Sequence, residues 1–327
     1  MTMIAIEEHW STPELAAALE ALAPEYRDDS LALNDHGDNL ERLEDIGDAR
    51  IAAMDEQGVD VQIISLAPPA TGPLEPAAAV SFSRDLNDSA AAAVDRHRSR
   101  LRAMATLPMA DPTAVAAELE RAAGMGFVGA MVYGRTRDIP LDDPRYDDLF
   151  ATAAALGQPI FIHPQIPPLT VRAAAYSGFD EITNLALSTF GWGWHLEAAL
   201  SALRLITRGT FDRHPDLKIV LGHWGELLLF WQDRVDSLSR IAGLERPVSE
   251  YLRSNVFITN SGMLSPALLH HALEVTTVDQ LLFSTDYPFQ RPTKTDVAEF
   301  LTEFATDDDR DKFLRRNAQA LFRIEMP

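Results

Sequence analysis

The stretch IAIEEHW, residues 4–10, closes an apolar run with two glutamates and a histidine. In an extended strand successive side chains point to opposite faces, so Glu7 and His9 share one face and Glu8 takes the other. A carboxylate and an imidazole two residues apart on one face can close on a single metal ion. Three further apolar runs end on groups of the same kind: His163 in PIFIHP, His223 in KIVLGH and Asp286 in LLFSTDYP. Glu, His and Asp form a mixed oxygen and nitrogen donor set without sulfur. Such a set suits Mn²⁺, Zn²⁺ or Fe²⁺ with waters in the open positions. A glutamate in place of an imidazole adds hardness, which favours Mn²⁺, with Zn²⁺ second.

These residues need elements that bring them together. Eight short apolar runs recur: 4–9, 61–66, 101–108, 128–133, 159–164, 218–223, 256–261 and 281–288. Longer amphipathic patterns separate them, such as DPTAVAAELERAAGMG, which opens on Asp-Pro and closes on Gly. Strands that alternate with helices and are almost continuously apolar indicate a parallel sheet covered on both faces. Eight such units predict an α/β fold of the (β/α)₈ TIM-barrel type, whose functional face lies at the C-terminal ends of the strands. The reading takes residues 1–327 as one domain, with a helical insertion between strands five and six over roughly 165–208. The acidic segment 25–39 is a second candidate for covering the mouth. The six histidines away from strand ends (His36, His97, His195, His214, His270 and His271) are expected to be packing or solvated residues.

Composition narrows the function. A net charge of -21 and a pI near 4.7 argue against nucleic acid or an anionic membrane as partner. The absence of cysteine removes thiolate ligands, Cys nucleophiles and disulfides. No run has the length of a membrane span, and the first residues carry acids where a signal peptide has basic groups. A soluble, cytoplasmic protein is expected. The lysines are Lys218, Lys294 and Lys312 alone.

The motifs EEH, FIHP, GTFDRHPDLKIVLGHWGE and FSTDYPF, in this order, together with LEDIGDARIAAMDEQGVDVQIISL, resemble the amidohydrolase superfamily. Within it they are similar to the decarboxylase branch of γ-resorcylate (2,6-dihydroxybenzoate) and related ortho-hydroxybenzoate decarboxylases. The resemblance runs over nearly the whole chain. It implies that Glu7, His9, His163 and Asp286 hold one divalent ion. It also implies that His223 and Glu226 form a hydrogen-bonded pair beside the substrate, that Arg234 reaches the substrate's acidic edge, and that the chain forms a homo-oligomer, a dimer or tetramer. Gln165 and Gln290 depart from the family pattern, which has an arginine and an acid there, and bear on the substrate more than on the chemistry.

Binuclear members of that superfamily bridge their ions with a lysine at the end of strand four, and VGAMVYGR has none. One ion is therefore expected, with two chemistries open to it. A metal-activated water with Asp286 as base would hydrolyse a lactone or amide. Alternatively, the ion chelates the carboxylate and neighbouring phenolic oxygen of an ortho-hydroxybenzoate. An acid, Asp286 aided by His223, then protonates the ring carbon and carbon dioxide leaves. A barrel that binds without turnover is a third reading, weakened by the completeness of the polar strand ends. Trp10, Phe190, Trp192, Trp194, Trp224, Tyr287 and Phe289 follow strand ends or lie in the insertion. They favour a small aromatic carboxylate, with Trp10, Phe190, Tyr287 and Phe289 as expected contacts, and hence the decarboxylase.

Overall fold

The eight predicted runs form one parallel sheet, ordered as they occur in the chain. In the computed structural model, which describes residues 2–325, they are β1 (Ile4–Trp10), β2 (Val61–Leu66), β3 (Leu101–Thr106), β4 (Gly129–Tyr133), β5 (Ile160–His163), β6 (Ile219–Leu221), β7 (Val256–Thr259) and β8 (Leu281–Leu282). Only the first two residues of LLFSTDYP are regular strand. The irregular remainder still closes the barrel on β1: Ile6 N–H donates to Phe283 O at 3.2 Å and His9 N–H to Tyr287 O at 2.7 Å. The architecture is the expected (β/α)₈ barrel.

Strand residues divide between two apolar layers. Ile4, Ile6, Val61, Ile63, Met104, Met131, Phe161, Val220 and Leu282 fill the barrel interior. The other strand face, including Ala5, Val132, Ile160, Ile162, Ile219 and Ile258, packs on the helices. Ala318, Leu321, Phe322 and Ile324 at the chain's end join the inner layer. Arg102, near the start of β3, donates to Glu325 O at 3.3 Å, so this segment plugs the end of the barrel where the strands begin. The opposite end is left open for chemistry.

Helix starts are written locally. Asp111 accepts from Thr113 N–H at 3.1 Å to cap the helix Pro112–Gly124, and Thr293 with Asp296 closes a capping box on Lys294–Leu301. The insertion after β5 forms helices Leu169–Ala175, Glu181–Ser188 and Gly193–Thr207, while the 25–39 segment makes short 3₁₀ turns. Both lie over the open end. Among the described residues no helix is long and apolar enough to cross a membrane.

Candidate active site

β1 carries a device that simple alternation does not foresee. Ile4 and Ile6 point into the barrel, so strict period two would send Glu8 inward and Glu7 out to the helices. The β1–β2 register slips between Ala5 and Glu8. This bulge gives Ile6 and Glu7 the same inward face and returns His9 to it. Glu8 instead lies among polar groups of the neighbouring strands, accepting from Gln62 Nε2 at 3.0 Å, Thr285 N–H at 2.8 Å and Thr285 Oγ1 at 2.5 Å. Burial pushes its carboxyl up to about 7 against those hydrogen bonds and the nearby Arg50 charge.

Glu7, His9 and His163 form a buried group whose donor atoms lie within 4.8 Å of one another. Each is prepared for a cation. Ser261 donates to Glu7 Oε2, which also has Ser284 Oγ at 3.4 Å, and Oε1 remains without a partner. His163 Nδ1–H donates to Pro164 O at 2.7 Å, which leaves Nε2 as the lone-pair nitrogen, 3.8 Å from Glu7 Oε1. Burial disfavours the charged form of His163, keeping its pKa well below the usual histidine value. Both nitrogens of the fully buried His9 lack a hydrogen bond, although Nε2 lies 3.3 Å from Asp286 Oδ1. Burial pushes the Glu7 carboxyl well above the ordinary range. Unpaired buried polar atoms of this kind are costly, and a divalent ion at their centre would satisfy them together. The donor set fits such an ion.

Beside this group stands a second one. Glu226, fully buried, accepts from His223 Nδ1 at 2.8 Å and from His195 Nδ1 at 2.7 Å. Burial opposes the charges on both partners, yet the Glu226 carboxylate, with Glu7 and Asp286 nearby, holds His223 up to about 10. The His223 charge and both hydrogen bonds hold Glu226 below the usual carboxylate value despite its burial. His223, Trp224, Glu226, Leu227, Ser261 and Asp286 all have positive φ, between 43° and 71°. Non-glycine residues in this region are held there by surrounding structure, and such positions cluster at functional sites.

The two groups open on a cavity of about 820 Å³ walled by Leu33, Ile182, Leu185, Phe190, Trp194 and Phe289, with His36, Asn39 and Gln290 among its polar groups. The Phe289 ring lies 5.7 Å from that of His9, tilted by 55°. Of the expected site residues, Glu7, His9, His163, His223, Glu226, Asp286, Phe190 and Phe289 come together here. Three do not. Trp10 faces the helices in the outer layer, as alternation from His9 requires. The Tyr287 ring lies under the buried Arg50 guanidinium at 4.7 Å, and its hydroxyl accepts from Arg42 at 3.5 Å, so it braces β1 outside the cavity. Arg234 is exposed on the short helix Gln232–Val235, away from the lining. Gln165 also turns aside, accepting the Arg135 N–H at 2.6 Å.

The sequence reading left out two histidines and a serine. His195 and His36 line the cavity, against the expectation that helix and loop histidines stand apart. Ser261 ties Glu7 to the His223 N–H, which it accepts at 2.8 Å. Its place at the end of the VFITNS run was the available signal. His195 had none, because a helical position in a long insertion says nothing about what lies opposite.

A parallel barrel with a buried carboxylate–imidazole group at its C-terminal mouth defines a metal-site barrel scaffold. Residues 9–324 match the amidohydrolase family, and the chain belongs to it. It is 34% identical to a γ-resorcylate decarboxylase from Polaromonas sp., over 98% of both chains. Two solved structures are similar throughout. One is a dihydroxybenzoic acid decarboxylase from Polaromonas sp. JS666 with manganese and the inhibitor 2-nitroresorcinol (TM-score 0.84, 33% identity, 98% of this chain and 97% of that one). The other is a 5-carboxyvanillate decarboxylase from Novosphingobium aromaticivorans with manganese and 4-hydroxy-3-methoxy-5-nitrobenzoic acid (TM-score 0.89, 28% identity, 99% and 96%).

Proposed function

We propose that the protein is a metal-dependent, non-oxidative decarboxylase of an ortho-hydroxybenzoate. The observation that carries this reading is the buried Glu7–His9–His163 group, with Asp286 against it, opening on an apolar cavity beside the His223–Glu226 pair. The relatives support the same reading through their names and their bound manganese and hydroxylated nitroaromatic ligands.

Glu7, His9, His163 and Asp286 would hold one divalent ion, Mn²⁺ before Zn²⁺, which would supply the positive charge that a carboxylate and its ortho oxygen require. Phe190, Trp194 and Phe289 exclude water and offer faces to the ring. No arginine or lysine lines the cavity among the described residues, so His223 is the protein cation nearest the substrate's acidic edge. Its Nδ1 is engaged by Glu226, which leaves Nε2 as its free nitrogen. Asp286 delivers a proton to the ring carbon bearing the carboxylate. The electrons of the breaking carbon–carbon bond return to the ring, and carbon dioxide leaves. The Asp286 carboxyl lines the cavity with Oδ1 3.3 Å from His9 Nε2.

We further read the chain as one barrel domain of a cytoplasmic homo-oligomer. Exposed Phe179 and Ile182, both in the insertion, support a protein contact there. The testing experiment incubates Mn²⁺-loaded protein with hydroxybenzoates and, separately, with lactones and amides. Carbon dioxide release is expected. Hydrolysis without it would return the reading to the hydrolase alternative.

A further inference from the structure

We infer that His195 is a positioning residue for His223, acting through Glu226; this rests on the decarboxylase reading above. His195 lies in the first turn of the helix Gly193–Thr207, inside the insertion, and its ring is 4.7 Å from that of His223. The Glu226 carboxylate has two anchors, one on each oxygen. Oε1 takes the His223 Nδ1–H at 2.8 Å and Oε2 takes the His195 Nδ1–H at 2.7 Å. Among the described residues it accepts no other hydrogen bond. A carboxylate held at one oxygen can swivel about its last torsion, which is broad and poorly defined by itself. Held at both, it presents Oε1 to His223 in one orientation, and that fixes the ring with its Nε2 edge left over for the cavity.

His195 is itself anchored. Its Nε2–H donates to Phe190 O at 3.0 Å. The ring thus bridges a carbonyl on one side and a carboxylate on the other. The residue therefore joins two parts of the site. Phe190 and Trp194, which wall the cavity, belong to the same short segment that steadies Glu226. Seating of the insertion and orientation of the His223 ring become one event. A solvated helical histidine would make no such pair of contacts, and His195 makes both from a side chain only 18% exposed.

Two variants separate the contacts. His195→Asn keeps a donor close to the Nδ1 position and so retains the bond to Glu226. His195→Phe removes both donors. On an ortho-hydroxybenzoate that the wild type turns over, His195→Phe should lower kcat about ten- to a hundredfold, the usual effect of removing an orienting partner. KM should stay within about twofold and manganese content should be unchanged. His195→Asn should recover most of the loss. In a His223→Asn background His195→Phe should cause no further loss, since its effect runs through that ring. A second readout needs neither metal nor substrate: the imidazole ¹⁵N–¹H signal of His223 Nδ1–H in metal-free protein should be present in wild type and His195→Asn, and broadened or shifted in His195→Phe. If His195→Phe does not fold, His195→Gln takes its place, because its donor falls near the Nε2 position and misses Glu226. Additive losses in the double variant, or an unmoved His223 signal, would overturn the assignment. A wild type without decarboxylase activity would overturn the function reading instead, and the imidazole signal would still decide the role of His195.

Discussion

Gly222, just beyond β6, is the place where one added carbon should cost the most chemistry. A Cβ there would lie 2.8 Å from Ser261 Oγ, 3.1 Å from Glu7 Oε1 and 3.2 Å from Glu226 Oε1. The first distance forces a shift, and Ser261 has little freedom to make it. Its hydroxyl donates to Glu7 and accepts the His223 N–H at 2.8 Å, so moving it releases one or the other. Overpacking of this kind costs about 1–3 kcal/mol. If the strain is relieved by displacing Glu7, the same energy appears as lost metal affinity, about 5- to 150-fold at 1.4 kcal/mol per factor of ten. The assay is calorimetric titration of Mn²⁺ into metal-stripped Gly222→Ala, with a thermal melt to read the part borne by the fold. Gly124→Ala is the control, since nothing lies within 4 Å of a Cβ there. Wild-type affinity and turnover in a folded Gly222→Ala protein would refute the argument that these three groups share a fixed, crowded centre.

Glu7→Ala should abolish tight binding of the ion, measured by elemental analysis. Glu8→Ala should retain it yet lower stability in a denaturant titration, because each buried donor left by Glu8 costs about 1–3 kcal/mol; loss of the ion from Glu8→Ala alone would reverse the assigned facing of β1. Asp286→Asn keeps the shape and one oxygen but not the proton, so kcat should fall about 10²- to 10⁴-fold with some metal retained. Rapid carbon dioxide release by metal-loaded Asp286→Asn would move the acid role, first to His223. Arg234→Ala should leave kcat and KM within about twofold, as suits an exposed side chain off the cavity; a large rise in KM would restore it to substrate binding.

The sequence by itself determined the barrel and most of its polar mouth. Eight short apolar runs with helical spacers allow few other arrangements, and groups such as His163 and Asp286 sit at strand ends, where local pattern and barrel geometry together place them. Trp10, expected at the substrate, instead faces outward, as its place after inward-facing His9 requires. What the tertiary structure decided is which side chains meet. The bulge in β1 turned Glu7 inward although Ile4 and Ile6 already faced that way. Arg50, folded back from a helix, drew Tyr287 out of the site. His195 arrived beside Glu226 from 31 residues earlier in the chain. Period and residue type report the local direction of a chain. A slipped register, a left-handed φ or a partner on a distant helix is stabilised by packing that forms only when the whole barrel closes, and so leaves no periodic trace in the sequence.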